Sequence, residues 1–163
     1  MKNGVYLLLG SNLGNREKNL SDARDSLQII GSLLTVSSIY QTEAWGNREQ
    51  PDFLNQVVQI DFKKSPQELL GNILTIETKM GRVRMEKWGP RIVDIDILFF
   101  DNLIINDPDL IIPHPQLHLR RFTLLPLAEI APALNHPVFN KSCTQLLKEC
   151  PDDSVINRYT TKP

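Results

Sequence analysis

The sequence predicts an α+β fold, a ferredoxin-like antiparallel sheet in βαββαβ order with both helices on one face and a C-terminal extension. Three observations predict it. The apolar period switches between two and 3.6 in that order along residues 5–105. A strong helix start, Ser65-Pro66-Gln67-Glu68, separates the third strand pattern from the fourth. The 163 residues, 41% hydrophobic and 23% charged, suit one globular domain, residues 1–163, able to bury a sizeable core.

Val5-Tyr6-Leu7-Leu8-Leu9 is a buried-strand signal ending at Gly10, followed by the polar stretch Ser11–Asn15. Leu20, Ala23, Leu27 and Ile30 form one apolar stripe of a helix that Gly31 stops. Leu34 to Thr42 mixes β-branched and polar residues and reads as one strand. Glu43 to Asp52 is a loop of turn formers and aromatics. In the next strand, Phe53 to Phe62, a period of two sets Leu54, Val58, Ile60 and Phe62 on one face. Phe53, Asn55, Val57 and Gln59 take the other.

The second helix begins with Ser65 as N-cap, Pro66 at the first position and Glu68 closing a capping box. It carries Leu69, Ile73, Ile76 and Met80 and stops at Gly81. The basic loop 82–91 leads into a strand from Ile92 to Asp101, and Asp101-Asn102 turns the chain back into Leu103-Ile104-Ile105. Pro108, Pro113 and Pro115 punctuate a stiff loop. Leu119 to Leu125 reads as a short helix broken by Pro126, and Cys143 to Cys150 as one or two terminal helical turns.

Eighteen basic against nineteen acidic residues give a net charge of -1, which argues against whole-chain attraction to nucleic acid or anionic membrane. There is no apolar run long enough for a transmembrane helix, and the N-terminal run is too short for a secretory signal. Cys143 and Cys150 are therefore expected as reduced thiols in the cytoplasm, and their spacing without clustered histidines makes a poor zinc site. Gly-rich phosphate loops of either common type are absent. Any nucleotide must be held by other means.

Asp94 and Asp96 are the sharpest chemical feature. In Ile92–Phe99, Ile95, Ile97 and Phe99 face one way and the two aspartates the other, their Cβ atoms roughly 7 Å apart by strand geometry. Parallel carboxylates repel unless a cation lies between them, and an oxygen-only set suits Mg²⁺ completed by substrate phosphates. A solvated polar face on an edge strand is the simpler alternative. The preceding loop carries Arg82, Arg84, Lys87 and Arg91 against Glu86 alone. Such cations suit a polyphosphate, although a solvated basic loop has the same composition.

Phe53 and Asn55 share a strand face, an aromatic beside an amide, which suits a flat heterocycle, although a core Phe beside an edge Asn is the simpler reading of the pair alone. Trp45 and Trp88 fall in loops, where they contact a ligand or pack on a neighbouring helix. Glu77 sits on the apolar side of its helix near the C-terminal end, where the macrodipole disfavours an anion and a partner is expected. His114 is fixed between Pro113 and Pro115 and either donates to a phosphate or is a plain turn residue. Arg120 and Phe122, two apart, do not share a helix face, and Phe122 is core or a stacking wall. His118 and His136 lack supporting context.

These residues lie within segments that occur in a recognisable order. Gly10-Ser11-Asn12-Leu13-Gly14, Tyr40-Gln41-Thr42, Pro51-Asp52-Phe53-Leu54-Asn55 and Gly81-Arg82-Val83-Arg84 are followed by Trp88-Gly89-Pro90-Arg91-Ile92-Val93-Asp94-Ile95-Asp96-Ile97-Leu98 and Pro113-His114. The chain resembles the 6-hydroxymethyl-7,8-dihydropterin pyrophosphokinase family of folate biosynthesis over roughly residues 4 to 135.

The resemblance implies an ATP-dependent diphosphotransferase that converts the pterin's hydroxymethyl group to its diphosphate and releases AMP. It implies two Mg²⁺ ions on Asp94 and Asp96, and Arg82 and Arg91 as catalytic arginines. It implies ATP contacts from Glu77, Arg84, His114 and Arg120 together with those arginines. Phe53 and Phe122 would sandwich the pterin, Asn55 and the backbone near Thr42 and Trp45 would read its edge, and Trp88 would close over it. Three mobile loops are implied near 12–15, 43–52 and 82–91. Two departures stand out: Phe53 where the family often has Tyr, and Pro115 where it often has an aromatic.

The expected partners are thus ATP and the pterin, with no nucleic acid and no membrane, and the chain is expected to act as a monomer. A ferredoxin-like binding module for a small molecule or RNA is the alternative from another class. An RNA-binding sheet of this topology carries exposed aromatics in an RNP pattern, which this sequence lacks. A catalytically silent relative is a third reading.

Overall fold

The computed structural model describes residues 4–43, 51–81 and 92–160. Its elements run β1 (Val5–Ser11), α1 (Arg16–Ile30), β2 (Ser32–Val36), β3 (Tyr40–Thr42), β4 (Phe53–Asp61), α2 (Pro66–Lys79) and β5 (Asp94–Phe100). Then come β6 (Ile105–Asp107), β7 (Leu110–Ile112), a 3₁₀ turn at Leu117–Leu119, α3 (Arg121–Ile130), α4 (Cys143–Glu149) and β8 (Asn157–Arg158).

The main sheet has the order β5-β1-β4-β3-β8, with β2 also on β4. Every pairing in it is antiparallel. Counting β2 and β3 as one interrupted strand, the four strands of the βαββαβ unit lie in the order 4-1-3-2. The predicted ferredoxin-like topology is present.

Val5, Leu7 and Leu9 of β1, Leu54, Val58 and Ile60 of β4, and Ile95 and Ile97 of β5 form one core with Leu20, Ala23 and Leu27 of α1 and Leu69, Ile73 and Ile76 of α2. Both helices therefore cover one face. Tyr6, Leu8, Val57, Leu98 and Phe99 form a second core on the opposite face with Leu124 and Leu127 of α3 and Cys143 and Leu146 of α4. That second layer is the C-terminal extension.

The helix starts follow their local chemistry. Asn15 caps α1, its side chain accepting from Lys18 N–H. Ser65 and Glu68 form the expected reciprocal capping box of α2, with Pro66 in the first turn. Gly31 ends α1 in an extended conformation, not the left-handed one usual for a terminating glycine. It is needed for closeness: a Cβ there would lie 2.6 Å from Asp61 O. Gly81 does end α2's segment with positive φ, +87°.

Several expectations need correction. The strand expected from Leu34 to Thr42 is two strands, because Ser37 intervenes. Ser37 N–H donates to Val57 O, and Val57 N–H donates back to Ser37 Oγ at 2.9 Å. Residues 37–39 thus oppose only Gln56 and Val57, and the local ladder bulges.

Alternation also fails at Leu98. The β1–β5 register passes from Leu7↔Ile97 to Tyr6↔Phe99, so one extra residue carries Phe99 to the face opposite Ile95 and Ile97. There it meets Tyr6 edge-on, with ring centroids 6.5 Å apart. The turn at Asp101 forms, with φ of 52° and a Leu103 N–H to Phe100 O bond. The following chain does not pair back onto β5. It makes the separate β6–β7 ribbon, with Pro108-Asp109 at its tip, where a stiff loop was expected.

Pro126 lies inside α3 and does not break it. The missing N–H costs one helical hydrogen bond, and the buried Leu124, Pro126 and Leu127 hold the helix on the second core. Both cysteines are free, Cys143 fully buried, with burial pushing its thiol up to about 12.

Candidate active site

The sheet face that carries α3 divides into two ends. Tyr6, Leu8, Val57 and Leu98 are buried under the helices. Towards the C-terminal end of β1 the same face turns polar. The pairing Asp94↔Gly10↔Asn55↔Tyr40 runs straight across β5, β1, β4 and β3. Partners in one antiparallel row point to the same side, so Asp94 and Asn55 flank the bare backbone of Gly10. One row along, Asp96 stands opposite Leu8 on β1. Phe53 stands opposite Thr42, two residues from Asn55 and on its face.

Asp94 and Asp96 are half-exposed while Ile95 between them is buried. The alternation predicted for this segment is present, and the acids face away from the α1/α2 core. Among the described residues no group of three His, Cys, Asp or Glu gathers as a metal cage. Two carboxylates on adjacent outward positions of one strand nevertheless suit Mg²⁺, which takes one or two protein carboxylates and completes its shell with water and phosphate oxygens.

Glu77 is 3% exposed. Its Oε2 accepts the Ile95 N–H at 2.9 Å, so the partner anticipated for this helix-end anion includes the backbone of β5 itself. Because β5 is the outer strand of the sheet among the described residues, its outward N–H groups lack a strand neighbour there. Glu77 covers one of them midway between the two aspartates.

His114 enters from the other side. Its N–H donates to Leu98 O at 3.0 Å, tying the loop to β5. Its Nδ1 accepts from Gln116 N–H at 3.2 Å, which leaves the ring proton on Nε2, free to be donated. Burial, reinforced by the Arg120 charge and opposed by Asp94, pushes the imidazole down to about 4. It is a neutral donor at neutral pH.

Arg120 reaches Gln116 Oε1 at 2.7 Å through Nη2 and lies with Cζ 5.6 Å from the Phe122 ring centroid. The expectation that Arg120 and Phe122 keep apart assumed both were helical. Arg120 is the extended N-cap of α3, with φ of -123° and ψ of 110°, and its side chain folds back over the ring. Phe122 is half-exposed and packs against the second core.

Asn55 is buried, its Nδ2 3.4 Å from Thr42 Oγ1. Arg82, Arg84, Trp88, Arg91 and Trp45 lie outside the described residues, as do most of the two later loops expected to be mobile. The first such loop is built in. Asn12 is buried and donates from Nδ2 to Pro51 O at 3.3 Å, and Asn15 caps α1. Arg16 Nη1 donates to Asp52 O at 2.8 Å and Gln41 Nε2 to Asp52 Oδ2 at 2.9 Å, so the approach to Phe53 is anchored on both sides.

The structure thus brings Asp94, Asp96, Glu77 and His114 around β5, and Phe53, Asn55 and Thr42 beside them on one sheet face. Sequence reasoning missed Gly10 as a site residue. A Cβ at Gly10 would lie 2.9 Å from Asn55 Oδ1 and 3.8 Å from Phe53 Cδ1. The sequence marked it only as a glycine at the end of a buried strand and the first residue of the segment Gly10-Ser11-Asn12-Leu13-Gly14, without a role.

A βαββαβ sheet with a second helical layer and an acidic pair next to an aromatic–amide wall defines a class, which comparison with known proteins specifies. The model of the family described as 7,8-dihydro-6-hydroxymethylpterin-pyrophosphokinase (HPPK) matches residues 6–132, and the chain belongs to that family.

Among its relatives, the 2-amino-4-hydroxy-6-hydroxymethyldihydropteridine pyrophosphokinase of Aquifex aeolicus is 39% identical over 155 residues, 95% of this chain and 94% of that protein. The protein of the same name from Synechocystis is 40% identical over 148 residues, 90% of this chain and 75% of that one. The HPPK-DHPS chain of Plasmodium falciparum shares the fold, with a TM-score of 0.73 at 19% identity over 89% of this chain. This chain spans 43% of that longer one. The relatives' enzymatic names set aside the binding-module alternative.

Proposed function

We propose that this chain transfers diphosphate from ATP to the hydroxymethyl group of 6-hydroxymethyl-7,8-dihydropterin, giving the pterin diphosphate and AMP in tetrahydrofolate biosynthesis. The observation that carries the reading is the row Asp94–Gly10–Asn55, which sets an acidic pair beside a wall for a flat ring with no side chain between them.

In the reaction the pterin hydroxyl oxygen forms a bond to the β-phosphorus of ATP. The bond from that phosphorus to the oxygen bridging the α- and β-phosphates breaks, AMP leaves with the electron pair, and the hydroxyl proton passes to solvent. Such transfer needs positioning and charge neutralisation more than covalent help.

Asp94 and Asp96 would hold Mg²⁺, taken as two ions, which when bound would neutralise phosphate charge. Glu77 holds the Ile95 N–H between the two acids and in this reading also helps hold the nucleotide. His114, neutral and with its Nε2 proton available, donates to a phosphate oxygen, while Arg120 offers a fork for another. Arg82 and Arg91 are the catalytic arginines of this reading, Arg84 a further phosphate contact and Trp88 the cover. Phe53 and Phe122 stack on the pterin. Asn55 and the backbone near Thr42 and Trp45 read its edge.

The reading takes residues 1–163 as one domain working as a cytoplasmic monomer on two small molecules, without nucleic acid or membrane. No helix among the described residues is long and apolar enough to cross a membrane.

The test is AMP release dependent on the hydroxymethyl pterin. Asp94→Ala and Asp96→Ala should each lower turnover by about 10³-fold or more, with a thermal melt showing that both variants still fold. Near-normal AMP formation by both variants would exclude the mechanism.

A further inference from the structure

The family match ends at residue 132, yet the chain beyond it grips both sides of the proposed ring slot. One side is the sheet, with Thr42 on β3 and Phe53 and Asn55 on β4. The other is the first turn of α3, which carries Phe122.

Two carboxylates connect them. Glu129, near the C-terminal end of α3, accepts from Tyr40 Oη at 2.5 Å through Oε1, and from Ser38 N–H at 3.0 Å and Ser38 Oγ at 3.1 Å through Oε2. Tyr40 is the next member of the Asp94–Gly10–Asn55 row. Asp152, beyond α4, accepts the Arg121 N–H at 3.0 Å through Oδ2, where α3 begins one residue before Phe122. Ser154 N–H and Oγ donate to the other oxygen of Asp152 and hold it in place.

From Asp152 the chain runs on to β8, which pairs Arg158 with Tyr40 and Asn157 with Gln41, and Tyr159 N–H donates to Ile39 O at 2.8 Å. Arg158 Nη2 lies 3.7 Å from Glu129 Oε1 and closes the circuit.

Burial raises both carboxyls, but the donors around them prevail and hold each below its ordinary value. At Glu129 these are Tyr40 and Ser38, with Arg158 adding its charge. At Asp152 they are Ser154 and the Arg121 N–H, with the Arg121 charge adding. Both are anions at neutral pH, and each is a stronger acceptor for that. α3 is thereby fixed over the sheet at both ends, directly by Glu129 and through β8 by Asp152.

We propose that residues 152–159 form a strap that sets the separation of Phe122 from the β3–β4 wall, with Asp152 and Glu129 as positioning residues for the pterin. The inference rests on the reading of that slot as the pterin site. Neither carboxylate touches the substrate. Each acts by placing a wall, and a ring sandwiched between two aromatics is sensitive to their spacing on the scale of an ångström.

The experiment measures kcat and separate KM values for the hydroxymethyl pterin and ATP in Asp152→Ala, Glu129→Ala and their conservative counterparts, Asp152→Asn and Glu129→Gln. The alanine variants should raise the pterin KM roughly tenfold and leave the ATP KM within about twofold. The conservative variants keep an oxygen to accept the Arg121 N–H or the Tyr40 hydroxyl. They should recover most of the loss, and they carry the test if an alanine variant fails to fold.

Ser65→Ala removes the cap of α2 on the far side of the sheet and serves as a control for lost stability alone. Its pterin KM should equal wild type. An unchanged pterin KM in the strap variants, a parallel rise of both KM values, or an equal rise in Ser65→Ala overturns the strap. Phe122→Ala separates the two levels: if it leaves pterin KM unchanged the slot itself is misplaced, whereas a rise there without one in the strap variants defeats the strap alone.

Discussion

Between Asp94 and Asn55 the sheet carries Gly10, and a methyl group at that position would press within 2.9 Å of Asn55 Oδ1. Asn55 is buried beside Thr42 and has little room to retreat. Gly10→Ala should therefore turn the amide away from the edge it reads. The expected result is a rise in pterin KM of about tenfold, the scale of one hydrogen bond lost. ATP KM should change little, while Tm should fall by several degrees, because overpacking a buried site costs about 1–3 kcal/mol; steady-state kinetics and a thermal melt check both. The acidic pair at Asp94 and Asp96 was legible because strand alternation fixes which side chains stand together. Gly10 was not, because a glycine's contribution here is the space it leaves, and only the neighbours reveal that space.

The outer strand β5 shows what an element needs beyond its own sequence. Its Ile95 N–H would face outward without a strand partner, and Glu77 from the end of α2 supplies the acceptor. Glu77→Ala should leave that buried donor unsatisfied and cost about 1–3 kcal/mol. In a chain of this size each kcal/mol lowers Tm by about 2–4 °C. Glu77→Gln keeps an oxygen acceptor and should recover most of the loss, so a melt of the pair isolates the hydrogen bond. The helices were readable to within a few residues where caps were local, as at Ser65-Pro66-Gln67-Glu68. The strands were read too long or too regular where a bulge intervened, at Ser37 and at Leu98. A bulge is a property of two strands together, and one strand's pattern does not display it.

Across the whole molecule one buried and one half-buried histidine link stability to pH. His136 is 3% exposed. Its Nδ1 accepts from Val138 and Phe139 N–H, and it stacks on Phe139 at 4.4 Å, with His118 on the same ring. Burial, with His118 adding to it, pushes His136 down to about 4. The unfolded imidazole titrates near 6.5, so between those values the unfolded chain binds a proton that the native one refuses. This contribution to stability is complete above pH ~6.5 and is lost as pH falls towards ~4. His114, also pushed down to about 4, acts with the same sign. Tm should drop steadily as pH is lowered from about 7 to about 4.5. His136→Gln should show a shallower drop over that window, whatever its Tm at neutral pH.

The order of elements, the caps of α2, the faces of β4 and the pairing of Asp94 with Asp96 follow from the residues alone. Each follows from residues near one another in the chain, whose geometry a helical or strand period already fixes. The tertiary structure alone decided that Gly10 lies between the acids and Asn55, that Glu77 serves the backbone of β5, that Arg120 folds over Phe122, and that Glu129 and Asp152 tie the second helical layer to the sheet. These depend on sheet register and on contacts between residues as far apart in the chain as Ile39 and Tyr159. Such contacts form only once the apolar faces have packed, because it is that burial, and no local preference, that brings the partners within hydrogen-bonding distance.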